Sequence, residues 1–124
     1  MPVIEIRERI VRAHYALRPV DLRGRVTDRN LAACLGWEPG QRLAWHLEDD
    51  MVILSPGRRG QALVTSRGYL RLPARLRQAT STHVGDRMLF VVRTGADYLI
   101  AMPPRVVDEM VTARLAGVAE AGAL

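Results

Sequence analysis

The chain has 124 residues, 48% of them apolar, with 18 basic side chains against 13 acidic ones. That is enough for one domain with a real core, or for two half-domains sharing a core. No apolar run approaches the roughly 20 residues of a membrane helix, and the lone Cys34 excludes an internal disulfide and fits a reducing cytoplasm.

With only one Phe, two Trp and three Tyr, the core must be aliphatic. All 18 basic residues are Arg, as a GC-rich genome would favour, and their distribution is uneven. Between Asp50 and Asp86 no acidic residue occurs, while Arg58, Arg59, Arg67, Arg71, Arg75 and Arg77 fall in that interval. The segment therefore carries +6, and the remainder sets 12 arginines against 13 acids. Such asymmetry is the electrostatic footprint of a polyanion partner, or else a solvated basic face.

In chain order, the N-terminal MPVIEIRERIVRAHYAL has acids and arginines threaded through it, unlike a signal peptide. Ile6, Ile10, Ala13 and Leu17 recur at helical spacing, which predicts a helix over 3–16, ended by Arg18-Pro19. Asp28 is placed to cap a short helix over Arg29–Leu35. Glu48-Asp49-Asp50 turns a hairpin, and Pro56-Gly57-Arg58-Arg59-Gly60 reads as a short, polar, flexible linker. Strands are expected at Ala62–Ser66, Tyr69–Leu72, Arg87–Arg93 and Tyr98–Met102, with Thr94–Asp97 as the hairpin turn. Pro73 opens a short helix, Ala74–Ala79. Pro103-Pro104 ends the last strand and starts a helix with Val106, Val107, Met110, Val111 and Leu115 as its apolar stripe. From Ala116 the Gly/Ala-rich tail is expected to fray.

The middle of the chain repeats itself. Val20-x-x-Arg23-Gly24 returns as Val64-x-x-Arg67-Gly68, Gly40-Gln41-Arg42-Leu43 as Gly85-Asp86-Arg87-Met88, and Pro56 as Pro103, at offsets of 44, 45 and 47. Each copy reads as strand, Gly-centred turn, strand, short helix and hairpin. A copy of about 40 residues is too small to bury a core alone. The organisation is an N-terminal helix at 1–18, a degenerate copy at 19–57, a clearer copy at 58–104, and a helix with tail at 105–124.

VTSRGYLRLPARLR followed by VGDRMLFVV resembles the AbrB/MazE/SpoVT family of bacterial DNA-binding domains over about 40 residues of the second copy. In the first copy VDLRGRV and WEPGQRL are kept, with Thr27-Asp28 in place of the helix-opening Pro. Asp21-Leu22-Arg23-Gly24-Arg25 also resembles the Asp-x-x-x-Arg motif of the MraZ branch, whose two ends are Thr65 and Tyr69 in the second copy. The resemblance implies a mainly β fold with flanking helices (α+β), a duplicated swapped-hairpin AbrB-like barrel. It also implies DNA contact through arginines near the strand ends and the short helix. Carried onto this chain these are Arg18, Arg25, Arg29, Arg58, Arg59, Arg75 and Arg77, joined by Arg67 and Arg71 of the basic segment. Arg suits the task because its planar fork grips phosphate, or the O6/N7 edge of guanine, bidentately.

Gly68 is expected to adopt positive φ between two strands, and Asp86 to fix a turn through its side chain. Trp45 belongs to the core, whereas Trp37 is expected to be partly exposed at an interface. His14, His46, His83 and Cys34 share no metal-ligand spacing, and neither a nucleophile elbow nor a phosphate-cradling Gly loop is present. No active site, cofactor or metal is expected. The leading reading is a cytoplasmic, nucleoid-associated transcriptional regulator that binds double-stranded DNA as a homodimer and has no membrane association. Two alternatives share the barrel. One is an antitoxin, against which the short, weakly acidic segment after Pro104 counts. The other is an assembly module that recruits a protein through the terminal helices.

Overall fold

A computed structural model describes residues 13–93, 95–120 and 122. Among these residues eight strands are formed: β1 (His14–Pro19), β2 (Arg25–Val26), β3 (Arg42–Glu48), β4 (Met51–Pro56), β5 (Ala62–Val64), β6 (Leu70–Arg71), β7 (Arg87–Val92) and β8 (Leu99–Met102). Three helices accompany them among the described residues: α1 (Arg29–Cys34), α2 (Ala74–Ala79) and α3 (Pro104–Glu120). Every strand pair is antiparallel, in the order β1-β7-β8-β4-β3-β5-β6-β2. The two ends of that order, β1 and β2, are joined by a tight turn in which the Asp21 N–H donates to the Arg25 carbonyl at 3.0 Å. The sheet is thereby a nearly closed barrel, and the protein is mainly β with helices at its margins.

The pairings follow the sequence offsets. The Val20 N–H donates to the Asp86 carbonyl at 3.0 Å and its carbonyl accepts from the Gly85 N–H at 2.9 Å. At the counterpart positions Val64 donates to Gln41 at 2.9 Å and accepts from Gly40 at 2.8 Å. Arg18↔Met88 and Pro19↔Arg87 are matched by Ala62↔Leu43 and Leu63↔Arg42. In Ile53↔Ile100 and Val26↔Leu70 each residue faces its own counterpart, so the pairing pattern is approximately twofold about these two pairs. Most of the sheet is therefore made between the halves of the chain: β1 on β7, β5 on β3, β4 on β8, β2 on β6.

Alternation along the strands fills the interior. Leu43, Val52, Leu54, Phe90, Leu99 and Ala101 point inward and are fully buried, and the helices add Leu31 and Leu76 at matching positions. Burying each of the larger side chains among these contributes roughly 1.5–3 kcal/mol. α1 is capped as its sequence predicts, the Asp28 carboxylate accepting from the Asn30 N–H at 2.9 Å. α2 begins behind Pro73 at φ −69° and spans the expected residues.

Several expectations are corrected. The N-terminal helix, placed over 3–16 within 1–18, does not extend through 14–16. His14–Pro19 is a strand, with Ala16 inward and Tyr15 and Leu17 outward. Leu17 completes the helical spacing, but six residues of register on β7 decide the conformation. Residues 3–12 lie outside the described residues, as does Thr94 of the β7–β8 turn. Trp37 is buried at 7% exposure, its indole N–H without a partner, whereas Trp45 is half-buried against the core. The linker is held, not loose: the Gly57 N–H donates to the Arg42 carbonyl at 3.1 Å, and a Cβ on Gly60 would collide with the Leu43 carbonyl. α3 continues past Ala116 to Glu120.

Candidate nucleic-acid interface

The turn from β1 to β2 is built by one carboxylate. Asp21 Oδ1 accepts from the N–H groups of Arg23 at 2.9 Å and Arg25 at 2.8 Å, and Oδ2 accepts from Arg25 Nε at 2.8 Å. Desolvation opposes ionisation of Asp21, but the hydrogen bonds from Arg25 and Arg23 and the Arg25 charge outweigh it and hold the carboxyl below its ordinary pKa. Gly24 makes the turn possible, since its φ is +78° and a Cβ there would collide with the Leu72 carbonyl oxygen. The Leu72 N–H donates to the Gly24 carbonyl at 2.7 Å, locking the turn to the β6–α2 junction.

The counterpart turn keeps the backbone and changes the chemistry. Thr65 Oγ1 accepts from the Tyr69 N–H at 3.1 Å, doing for the chain what Asp21 does, and Gly68 has φ +84°, as its sequence context predicts. Where the first turn presents the Arg25 guanidinium, the second presents the Tyr69 ring, 5.6 Å from the Arg29 guanidinium carbon.

Strand register then assembles a row. Arg25 faces Arg71 across β2–β6, Arg71 faces Leu63 across β5–β6, and Leu63 faces Arg42 across β3–β5. Directly opposed residues share one face of a sheet. Val26 and Leu70, the next pair along β2–β6, are fully buried, which puts Arg25 and Arg71 on the outside. One cross-strand pair is thus arginine against arginine, an arrangement that is destabilising unless something neutralises it.

The predicted residues distribute around this row. Arg77 is half-buried against the first turn: its Nε is 3.1 Å from where a Gly24 Cβ would be and has no partner among the described residues. Arg75, one step earlier on α2, is exposed. Arg67 is exposed in the second turn, and the Arg29 stem lies 3.7 Å from the Cβ position of Gly68. Arg58 and Arg59 are exposed on the linker, where Arg58 shares a shallow depression with Arg42. Arg18 is pinned on β1 by a 2.9 Å ion pair to the buried Asp28 carboxylate. Sequence reasoning misses Arg42, which no turn or helix motif marks; its one signal is its counterpart Arg87 in the repeated Gly-x-Arg.

The β3–β4 hairpin turns within Glu48-Asp49-Asp50 as the sequence predicts, Asp49 and Asp50 forming a two-residue turn at φ 50° and 62°. It lies at the opposite end of β3 from Arg42, about 20 Å away at the usual rise per residue. Asp86 also fixes its turn as expected, accepting from the His83 N–H at 2.8 Å. Among the described residues no group of His, Cys, Asp and Glu could hold a metal ion, and no helix is long and apolar enough to cross a membrane. The chain matches no family model, no curated protein and no solved structure.

Proposed function

We propose that this protein binds double-stranded DNA with sequence selectivity and acts as a bacterial transcriptional regulator, on a duplicated swapped-hairpin barrel of the AbrB kind that closes within one chain. The observation that carries this reading is the outward row Arg42–Leu63–Arg71–Arg25. It juxtaposes Arg25 and Arg71, Arg77 lies against the Arg25 turn, and Arg67 and Arg75 are exposed on the second turn and on α2. Only Arg25 of these has an acidic partner among the described residues. A phosphate backbone turns that repulsion into attraction by releasing its condensed counterions. The exchange of strands between the two halves, with the Gly24 turn braced on the other half by the Leu72 N–H, is the feature that favours the swapped-hairpin description. A cytoplasmic site on the nucleoid follows from the same reading.

A second reading, protein recruitment, is favoured by α3. None of its side chains is buried, and Met110, Val111 and Leu115 stand about half exposed on it. We regard this as the seat of self-association in a DNA-bound homodimer; a toxin or other protein partner is the alternative occupant.

The test is binding of the intact chain to genomic duplex fragments across a salt series. The slope of log K against log salt should be steeply negative. Arg71→Ala and Arg75→Ala should each reduce its magnitude by about 0.9 for every phosphate no longer neutralised. A folded wild-type protein that binds no duplex even at low salt would sink the nucleic-acid reading and leave protein recruitment.

A further inference from the structure

A duplex has local twofold axes perpendicular to its length. A protein with matching twofold symmetry offers the same readers to both half-sites and selects a palindrome. In this barrel the approximate twofold is kept by the backbone of the two Gly-centred turns. Asp21 and Thr65 hold their turns by the same side-chain-to-backbone hydrogen bond, at 2.8 Å to Arg25 N and 3.1 Å to Tyr69 N. The outward side chains break it. Arg25 has Tyr69 as its counterpart, and Arg71 has Thr27 at the same offset of 44, whereas Arg42 and Arg87 correspond.

The difference is of chemical kind. The Arg25 fork is oriented in advance because Nε is spent on Asp21 at 2.8 Å, leaving the N–H groups of its two terminal nitrogens for another acceptor. A fork held in this way is suited to the paired acceptors of a guanine edge. Tyr69 has no second donor with which to grip a base bidentately. Its ring is also engaged by Arg29 at 5.6 Å, which leaves that half an apolar edge suited to a thymine methyl.

We infer that the site read by one chain is not palindromic: the half facing Arg25 and Arg71 requires guanine, and the half facing Tyr69 does not. This rests on the DNA-binding reading. If two chains associate, the one-sided unit occurs twice and each unit keeps its own polarity.

Selection of the intact chain against randomised duplexes tests it. The expected result is a motif with a guanine requirement confined to one side of each unit. Arg25→Lys keeps the charge and loses the fork. It should cut discrimination at that guanine by about 5–150-fold, the range for one bidentate pair, and leave the other side's preference unchanged. The double change Thr65→Asp, Tyr69→Arg, checked for its fold by circular dichroism, should install the fork twice and select guanine on both sides. A wild-type unit that is itself palindromic, with guanine on both sides, overturns the inference while leaving DNA binding intact. So does Arg25→Lys with unaltered discrimination, a measurement that stands even if the double variant does not fold. Enrichment of no duplex rejects the DNA-binding reading and this inference together.

Discussion

Replacing Arg71 by Gln separates stability from binding, because the two should move in opposite directions. Arg71 lies directly opposite Arg25 and on the same face. Two unit charges about 7 Å apart in water repel by about 0.6 kcal/mol. The Asp21 carboxylate, 2.8 Å from Arg25 Nε, offsets part of this and leaves a few tenths. Gln keeps much of the aliphatic stem, so packing on the half-buried Leu63 is little changed. The free variant should therefore melt about 1–2 °C above the wild type at low salt, given roughly 4–8 °C per kcal/mol for a domain slightly smaller than this one. In about 1 M salt, where the screening length falls to about 3 Å, the gain should vanish. In the DNA titration the same variant should bind more weakly, with a salt slope shallower by about 0.9. Calorimetry at the two salt concentrations and fluorescence anisotropy across a salt series read both effects. A variant that is less stable than the wild type at low salt would refute the proposed repulsion. One that binds with wild-type affinity and slope would refute its part in the interface.

Further outcomes are expected at the turns, the core and α3. Gly24→Ala should destabilise by more than about 2 kcal/mol, since positive φ and collision with a carbonyl act together. Gly68→Ala meets only the Arg29 stem at 3.7 Å and should cost about 1–2 kcal/mol; equal losses in denaturant melts would contradict this. Asp21 has its folded pKa depressed, so its contribution is full above the unfolded carboxylate pKa and disappears as pH falls through the folded value. Asp21→Asn should therefore be less stable than the wild type at pH 7, by no more than about 1 kcal/mol for so exposed a pair. The two melting curves should converge as the pH falls below the ordinary carboxylate range and Asp21 takes up its proton, and a gap that widens in acid would reverse the argument. Leu76→Ala, at a fully buried position, should cost about 2–5 kcal/mol. Self-association through Met110, Val111 and Leu115 predicts a dimer at micromolar concentration; light scattering that finds only monomer would reject it.

Local chemistry is readable along the chain, and long-range pairing is not. Pro73 and Asp28 place two helices because their physics is contained in a few neighbouring residues. The acidic hairpin turn and the Asp86 turn are local in the same sense. β1 escapes such reading because its conformation is set by β7, about 70 residues away, while Leu17 happens to continue a helical spacing. Trp37 escapes it because its place in the core depends on elements folding over it. The basic segment marks the charge of the candidate surface, but only the registers β3–β5, β5–β6 and β2–β6 align Arg42, Arg71 and Arg25 in one row. One-residue slips in those registers would turn the same arginines inward.

The interleaving of the two halves has a consequence for how the protein is made. Among the described strands before residue 57, only the β3–β4 hairpin can complete a pairing without the second half. β1 leaves the ribosome and must wait for β7, some 68 residues later, which takes roughly 3–14 s at about 5–20 residues per second. Once the hairpin is finished at Pro56, its apolar side, with Leu43, Val52 and Leu54, still lacks Phe90, Leu99 and Ala101 of the second half. A chain that stops before β7 should therefore be a fragment with unpaired strand edges and an open apolar face, prone to association, and not half a folded protein.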